Sequence, residues 1–241
     1  MSGPQKLVAW HSDGIATVLN HLAYGECRPN ATGQGKSCQM NYLDNGTPAR
    51  LVVQTPKMFA PFGAKEWEAR EPGGRPKWDL VLAFKGSSPM MQLFADLIKQ
   101  IDEANVTYAF ENQEAFFGDK GKSRDIIMDR YTPLFKPHAK YDPKLSTKLD
   151  IRNDQYTGLV YDNQQTMQNL AYVTPMCYVQ ALIEFCPMWV VDKRFGQTVR
   201  TIQMVVHRQE QINSLAIKPM ETDEDTNTHT HNPDEYIEYQ Q

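Results

Sequence analysis

The sequence has no long apolar run and no recognisable targeting signal. No stretch approaches the roughly 18 consecutive apolar residues that a membrane-spanning helix needs. The N-terminal residues MSGPQKLVAWHSDG lack the apolar core of a secretory signal. We therefore expect a soluble, intracellular protein without a membrane partner.

Cysteine is also scarce, and its four positions do not form a recognised site. Cys27 and Cys38 are widely separated in the sequence, and Cys177 and Cys186 lie in or beside the last predicted strands. Neither pair has the short spacing of a zinc knuckle or of a redox CxxC motif. We expect four reduced, structural thiols, no bound metal and no cofactor.

Catalytic motifs are missing as well. The sequence contains no GxSxG, no HExxH and no pair of histidines at helical spacing in its body. The segment GQGKS at residues 33–37 resembles the end of a phosphate-binding loop, but Asn30 stands where that motif requires glycine. The chain is therefore predicted not to be an enzyme, although a site assembled in space from distant residues stays an alternative.

Charge is distributed unevenly along the chain. Residues 219–241 contain seven acidic residues and no lysine or arginine, whereas the preceding segment holds all 25 basic residues and 22 of the 29 acidic ones, a net charge of +3. We predict a mildly basic body, residues 1–218, followed by a disordered acidic tail, residues 219–241.

The tail ends in PDEYIEYQQ, where aromatic side chains stand among acids. A tail that only aids solubility is the simple alternative. The aromatic residues favour a short motif that docks into a basic groove, on this protein or on a partner. The residues predicted to bind a partner are Asp234, Glu235, Tyr236, Ile237, Glu238 and Tyr239.

Hydrophobic periodicity predicts a mainly β body with one inserted helix. Residues 78–85, WDLVLAFK, alternate in the manner of a half-buried strand. Residues 90–104 have the three-to-four spacing of an amphipathic helix, and residues 105–117 either continue this helix or begin another. Two strand-like runs within residues 171–206 flank the polar turn 192–196, which offers a glycine and predicts a hairpin.

Basic and aromatic residues are interleaved in the middle of the chain. Residues 119–152 hold nine basic residues against five acidic ones. Cations neutralise phosphates, and aromatic faces stack on unpaired bases for about 1–3 kcal/mol per base, so this composition favours single-stranded nucleic acid. Packing of loop anchors is the alternative for each ring. The aromatic residues concerned are Phe59, Phe62, Tyr131, Phe135 and Tyr141.

An ordered set of segments resembles a known family. The segments are LVVQTPKMFAPFG, WDLVLAFKG, DIIMDRYTPLFKP, YDPKLSTKLDI and MWVVDKRFGQTVRTIQMVV, before the acidic tail. Together they resemble the OB-fold single-stranded-DNA-binding replication proteins shared by short-tailed phages and nucleocytoplasmic large DNA viruses. The resemblance covers residues 50–207 and the tail, and leaves residues 1–49 as an unassigned extension.

The resemblance implies a five-stranded OB-type barrel with an inserted helix and elaborating loops. It also implies a homodimer of viral or phage origin that binds single-stranded DNA regardless of sequence, in replication or recombination. The tail is expected to regulate binding and to contact a DNA polymerase or helicase. The runner-up is a non-enzymatic, all-β virion or scaffold protein. The predicted DNA-binding residues are Lys57, Phe59, Phe62, Lys85, Lys122, Arg124, Arg130, Tyr131, Phe135, Lys136, Lys140, Tyr141 and Lys148.

Overall fold

A computed structural model describes residues 3–30, 33–69, 73–74 and 76–208. The predicted tail, with its partner-binding residues 234–239, lies outside this part of the chain. The strands are β1 (Gln5–Val8), β2 (Leu22–Pro29), β3 (Lys36–Asp44), β4 (Thr47–Gln54), β5 (Met58–Ala60), β6 (Ala64–Trp67), β7 (Lys77–Ala83), β8 (Tyr131–Thr132), β9 (Lys144–Leu149), β10 (Ile151–Arg152), β11 (Gln155–Tyr156), β12 (Leu159–Asp162), β13 (Met167–Gln168), β14 (Cys177–Val191) and β15 (Arg194–His207). The helices are α1 (Trp10–Asp13), α2 (Ile15–Asn20), α3 (Pro89–Glu111), α4 (Gln113–Phe117) and α5 (Arg124–Arg130), with a 3-10 turn at Leu170–Tyr172. The prediction of a mainly β protein with an inserted helix is confirmed.

The long strand β14 connects most of the sheet. It pairs in antiparallel register with β3, β4, β5 and β15. From β5 the pairing passes to β7, from β7 to β9, and from β9 to β15, which pairs again with β14. Two register shifts, at Leu182/Ile183 and Phe185/Met188, bend β14 so that different parts of it serve different neighbours.

The first 49 residues belong to this sheet. They contribute β1, which pairs in parallel with β4, and β2 and β3, which form an antiparallel ladder. Trp10 of α1 is buried against Phe94, and its indole Nε1 donates a hydrogen bond to the carbonyl of Gln54 at 2.8 Å. In the GQGKS segment, Lys36 and Ser37 begin β3, so a strand follows these glycines where a phosphate-binding loop requires a helix.

The predicted C-terminal hairpin is present, but its turn differs from the expectation. Asp192 and Lys193 connect β14 to β15 with φ angles of 48° and 62°, the left-handed conformation that tight hairpin turns require. Gly196, the expected turn glycine, lies within β15. A Cβ there would lie 2.8 Å from the Trp189 ring, so packing rather than turn geometry requires this glycine.

Helix α3 is longer than its clearest periodic segment. The Ser88 side chain accepts a hydrogen bond from the backbone N–H of Met91 at 3.2 Å, and Pro89 occupies the first turn, as helix starts favour. The buried stripe continues from Phe94 and Ile98 through Val106. Residues 105–111 therefore continue the helix, because they extend the same buried face.

A buried carboxylate on α3 fixes the segment that follows α5. Asp102 accepts hydrogen bonds from the Tyr131 hydroxyl at 2.6 Å and from the backbone N–H groups of Leu134 and Phe135 at 2.9 and 3.0 Å. Burial raises the pKa of Asp102 above its ordinary value, and the three donors oppose that shift. The carboxylate thus holds residues 131–135 against α3.

Asn105, one turn further along α3, ties the helix to the sheet. Its Nδ2 donates to the Tyr131 hydroxyl at 3.0 Å and to Oε1 of Gln197 on β15 at 2.9 Å, and its Oδ1 accepts from the Tyr24 hydroxyl at 2.9 Å. The side chain is fully buried and all its polar atoms are bonded. Such a network positions the helix without leaving a buried polar group unpaired.

Within the described ranges, no helix is both long enough and apolar enough to cross a bilayer. The same residues contain no group of three or more metal-type side chains that could hold an ion. The four cysteines are free thiols, and burial raises the pKa of Cys38 to about 12.

We predict that Asp102→Asn destabilises the protein by about 1–3 kcal/mol, measured by urea denaturation. The amide replaces one acceptor oxygen with an N–H donor, which then faces a backbone N–H of residues 134–135, while relief of the desolvated charge offsets part of the loss. Asp96→Asn, on the exposed side of the same helix, is the matched control. Equal stability of the two variants would contradict this role of Asp102.

Candidate nucleic-acid interface

Strand register brings aromatic and cationic side chains to one face of the sheet. In an antiparallel ladder, residues directly opposite each other point to the same side. Tyr178 on β14 lies opposite Phe59 on β5, Phe59 lies opposite Ala83 on β7, and Ala83 lies opposite Lys144 on β9. The alternate residues of β7, such as Leu80, are buried in the core on the other side. Because side chains alternate along a strand, one side of these strands packs in the core and the other side carries the row of Tyr178, Phe59, Ala83 and Lys144.

Two lysines lie over the aromatic rings of this row. The Lys85 ammonium is 4.4 Å from the centroid of the Phe59 ring, and the Lys57 ammonium is 5.7 Å from that of Tyr178. The two rings are tilted against each other, with centroids 5.4 Å apart. Cation–π contacts at exposed sites contribute only about 0.5–1 kcal/mol, so both ammonium groups remain available to an anion.

An open cavity of about 870 Å³ lies beside the row. Phe59, Phe62, Tyr141 and Lys144 contribute to its walls. Phe62 is 49% exposed and Tyr141 is 70% exposed, values unusual for large rings in a folded chain. His138 shapes the loop that carries Tyr141, because its Nδ1 accepts the backbone N–H groups of residues 140 and 141 at 3.1 and 3.2 Å.

We call this surface the aromatic face. Its rings have exposed area and its lysines lack nearby carboxylates: within the described ranges, no lysine of the face lies within 4 Å of an acidic side chain. The aromatic face consists of Lys57, Phe59, Phe62, Lys85, Lys136, Lys140, Tyr141, Lys144 and Tyr178.

Two lysines of the face are directly opposite each other. Lys136 and Lys144 exchange two backbone hydrogen bonds, at 2.9 and 3.0 Å, so their side chains share one side of the ladder. Partial burial and the neighbouring Lys144 lower the pKa of Lys136, and Asp79 on β7 and Asp102 on α3 oppose the shift. Like charges in this arrangement destabilise a sheet, so the pair costs folding energy that an anion would recover.

The edge strand β6 adds residues that the sequence did not single out. The Lys65 ammonium lies 4.0 Å from the Trp67 ring centroid and 5.5 Å from that of Phe62. Trp67 is 45% exposed. The two-residue spacing of Lys65 and Trp67 was the available signal, but it indicates a shared face only once residues 64–67 are known to form a strand.

Three predicted cations lie elsewhere, around α3, α4 and α5. Arg124 is paired with Glu103 and bonds the Thr107 hydroxyl at 3.1 Å. Arg130 stacks on Phe117, 4.8 Å from its centroid, and Arg130 and Lys122 both lie just under 4 Å from Asp119. Their charges are matched by carboxylates, so we leave these three residues out of the aromatic face.

Two predicted rings serve packing, the alternative that the sequence left open. The Tyr131 hydroxyl is bonded to Asp102, and its ring lies 5.0 Å from that of Phe195. Phe135 packs on Phe84 at 5.0 Å, with Lys99 4.8 Å above its ring. The DNA-binding role of both residues stays a prediction. Neither residue belongs to the aromatic face. Lys148, the last residue predicted on β9, is exposed and points to the same side as Lys144.

A family model places the chain among known sequences. The model, described as "Family of unknown function (DUF5871)", matches residues 83–219, more than half of the chain. The chain belongs to this family. The matched region includes α3, β9, β14 and β15, and so carries Tyr141, Lys144 and Tyr178 of the aromatic face, whereas Phe59 and Phe62 precede it.

Solved structures of two phage proteins are similar to this family member at low sequence identity. The single-stranded DNA-binding protein of bacteriophage Enc34, in complex with single-stranded DNA, is 11% identical with a TM-score of 0.43, over 77% of this chain and 97% of that chain. The single-stranded DNA-binding protein gp2.5 of bacteriophage T7 is 12% identical with a TM-score of 0.45, over 70% of this chain and 98% of that one. No curated protein matches the sequence.

We predict that Lys136→Met raises the free energy of unfolding by about 0.2–1 kcal/mol, near the low end because solvent screens a half-exposed pair. The lowered pKa means that the folded protein binds this proton less tightly than the unfolded chain, so wild-type stability recovers as pH rises from the folded pKa towards 10.5. The advantage of the variant should therefore shrink over that window, in denaturation curves recorded at several pH values.

Lys140→Met is the matched control, because Lys140 is exposed in the same loop and has no lysine opposite it. If both variants change stability equally, the repulsion between Lys136 and Lys144 is not significant.

Proposed function

We propose that this protein binds single-stranded DNA across the aromatic face, without sequence preference. The observation that carries the proposal is the combination on one surface of exposed rings and of lysines without carboxylate partners in the described part of the chain. Single-stranded nucleic acid requires both features, since cations track the phosphates and ring faces stack on unpaired bases. Duplex DNA hides its base faces, so it is expected to bind more weakly.

In this proposal each part of the face has a role. Phe62 and Tyr141 provide open ring surfaces in the cavity wall, and Phe59 adds a third ring that has Lys85 over it. Lys57, Lys85, Lys140 and Lys144 lie where phosphates would pass. Stacking tolerates any sequence, because every base has a π face.

The strand pairing supports an OB-type architecture as part of the same proposal. The circuit from β14 through β5, β7, β9 and β15 back to β14 has five members, the number found in OB-folds, which bind oligonucleotides on their strand faces and loops. We infer that the aromatic face is the binding side of such a barrel, with α3 as the inserted helix.

The tail enters the proposal as a regulator. Strand β15 ends at His207, directly opposite Tyr178, and the Arg208 guanidinium lies 3.7 Å from the Tyr172 ring centroid. The chain therefore leaves the described body beside the aromatic face. The seven carboxylates further along the chain, in residues 221–238, would compete with DNA for the same lysines. DNA would displace the tail and free residues 236–239 for a replication or recombination partner, such as a polymerase or helicase, with the protein acting as a homodimer.

We predict that labelled oligo-dT of about 30 nucleotides binds with an affinity that falls steeply with salt, as measured by fluorescence anisotropy. Tyr141→Ala should weaken binding by about 1–3 kcal/mol for each lost stacked base. Lys144→Gln should reduce the slope of log K against log salt by about 0.7, the value for one phosphate contact on a single strand.

Lys120→Gln is the control, because Lys120 is paired with Glu114 at 2.5 Å, away from the face, and should bind like wild type. Absence of binding at low salt, by both the full chain and a chain lacking residues 219–241, would rule out the proposed function.

Deletion of residues 219–241 should tighten oligo-dT binding and flatten its salt dependence at low ionic strength, because the internal competitor is removed. A full-length chain whose seven tail carboxylates are changed to amides should behave like the deletion, which separates charge from length. If affinity is unchanged in both, the tail does not compete with DNA.

A further inference from the structure

A second cavity opens at the other end of the same strand ladder. It has a volume of about 570 Å³, and its walls include Trp78, Trp189, Lys148 and Arg200. We propose that this tryptophan pocket is a second stacking subsite, which takes an unpaired base of the same DNA strand beyond the aromatic face. The inference rests on the proposed function and extends it to a longer binding track.

The two cavities open on one side of β7 and β9. On β9, the outward positions run from Lys144, in the wall of the first cavity, to Lys148, in the wall of the second. On β7, Ala83 lies opposite Lys144 and lines the first cavity, and Asp79 lies opposite Lys148 and lines the second. Four residues of an antiparallel strand span about 14 Å, a short distance for a flexible, extended DNA strand.

Trp189 supplies the ring surface available for stacking, because Trp78 shares a side of β7 with the buried Leu80 and packs against the main core. Trp78 and Trp189 are both half-buried, and among the described residues neither stacks on another aromatic ring. The Gly196 backbone lies against one side of the Trp189 ring, since a Cβ there would come within 2.8 Å of it. The pocket thus repeats the chemistry of the aromatic face, with a ring next to a cation.

The charges of the pocket favour a base in its interior and a phosphate at its rim. Asp150 is bound by Arg152 at 2.9 Å and lies 3.7 Å from Arg200, which also pairs with Glu184 at 2.9 Å. These interior charges are therefore matched. Lys148 is exposed and has no carboxylate within 4 Å in the described part of the chain, although Asp79 is its cross-strand neighbour.

Tryptophan fluorescence tests the pocket without damage to the core. The chain has four tryptophans, of which Trp10 is buried. In a Trp67→Phe background, the remaining indoles that are not fully buried are the half-buried Trp78 and Trp189. Oligo-dT lengths from about 4 to about 16 nucleotides cover the site sizes known for OB-folds. The shortest oligomers should bind with little quenching, and longer ones should quench the fluorescence.

The variant Lys148→Gln, made in the same background, gives an independent readout. Its affinity for the shortest oligomers should match that of the parent, whereas for the longest the affinity should fall and the slope of log K against log salt should decrease by about 0.7, the effect of one lost phosphate contact. The control Lys120→Gln should change the affinity for neither the shortest nor the longest oligomers. Trp189→Phe, which keeps an aromatic ring beside Gly196, should remove part of the length-dependent quenching.

The outcomes separate the pocket from the proposed function. If oligomers of every length bind but quenching is absent or independent of length, the tryptophan pocket is not a subsite, and the aromatic face stands alone. If Lys148→Gln weakens short and long oligomers equally, the residue belongs to the first site and the pocket is again rejected. If no oligomer binds at all, the proposed function fails together with this extension.

Discussion

The architecture depends on one buried carboxylate, that of Glu184 in β14. Glu184 is 2% exposed and is paired with Arg50 on β4 at 2.8 Å and with Arg200 on β15 at 2.9 Å, and it also accepts a hydrogen bond from Gln5 on β1. It lies between the two register shifts of β14, where this strand changes partners. Loss of one member of a buried ion pair typically costs about 3–5 kcal/mol, because the remaining charge is left uncompensated. One side chain therefore connects four strands at the point where the sheet bends.

The pairing of charges divides the described molecule into a part whose charges are matched and a face whose lysines are not. Around α3 and α5, arginines meet carboxylates, and the polar atoms of Asp102 and Asn105 find hydrogen-bond partners. On the aromatic face the lysines have no such partners in the described ranges, and two of them are directly opposite each other. The unmatched charge is thus a cost in the free protein, and a polyanion would remove it.

Periodicity predicted the elements well, because it reports which side of a strand or helix is buried. The alternation of residues 78–85, the stripe of α3 and the C-terminal hairpin all depend on this local signal. It could not separate Tyr141 from Tyr131, since both stand near lysine and proline. What separates them is Asp102, a residue distant in sequence that binds the Tyr131 hydroxyl. Tyr178 joins the face only through strand register, which involves residues far apart in the chain.

The edge position of β6 has a consequence for solubility. In the described part of the chain β6 pairs only with β7, so its other side presents unpaired backbone groups next to an exposed indole. An open edge of this kind is a template on which further chains can add, and natural proteins commonly block it with lysine. Lys65, whose ammonium lies over the Trp67 ring, places a charge at that edge. This charge thus discourages edge-to-edge aggregation of the folded protein.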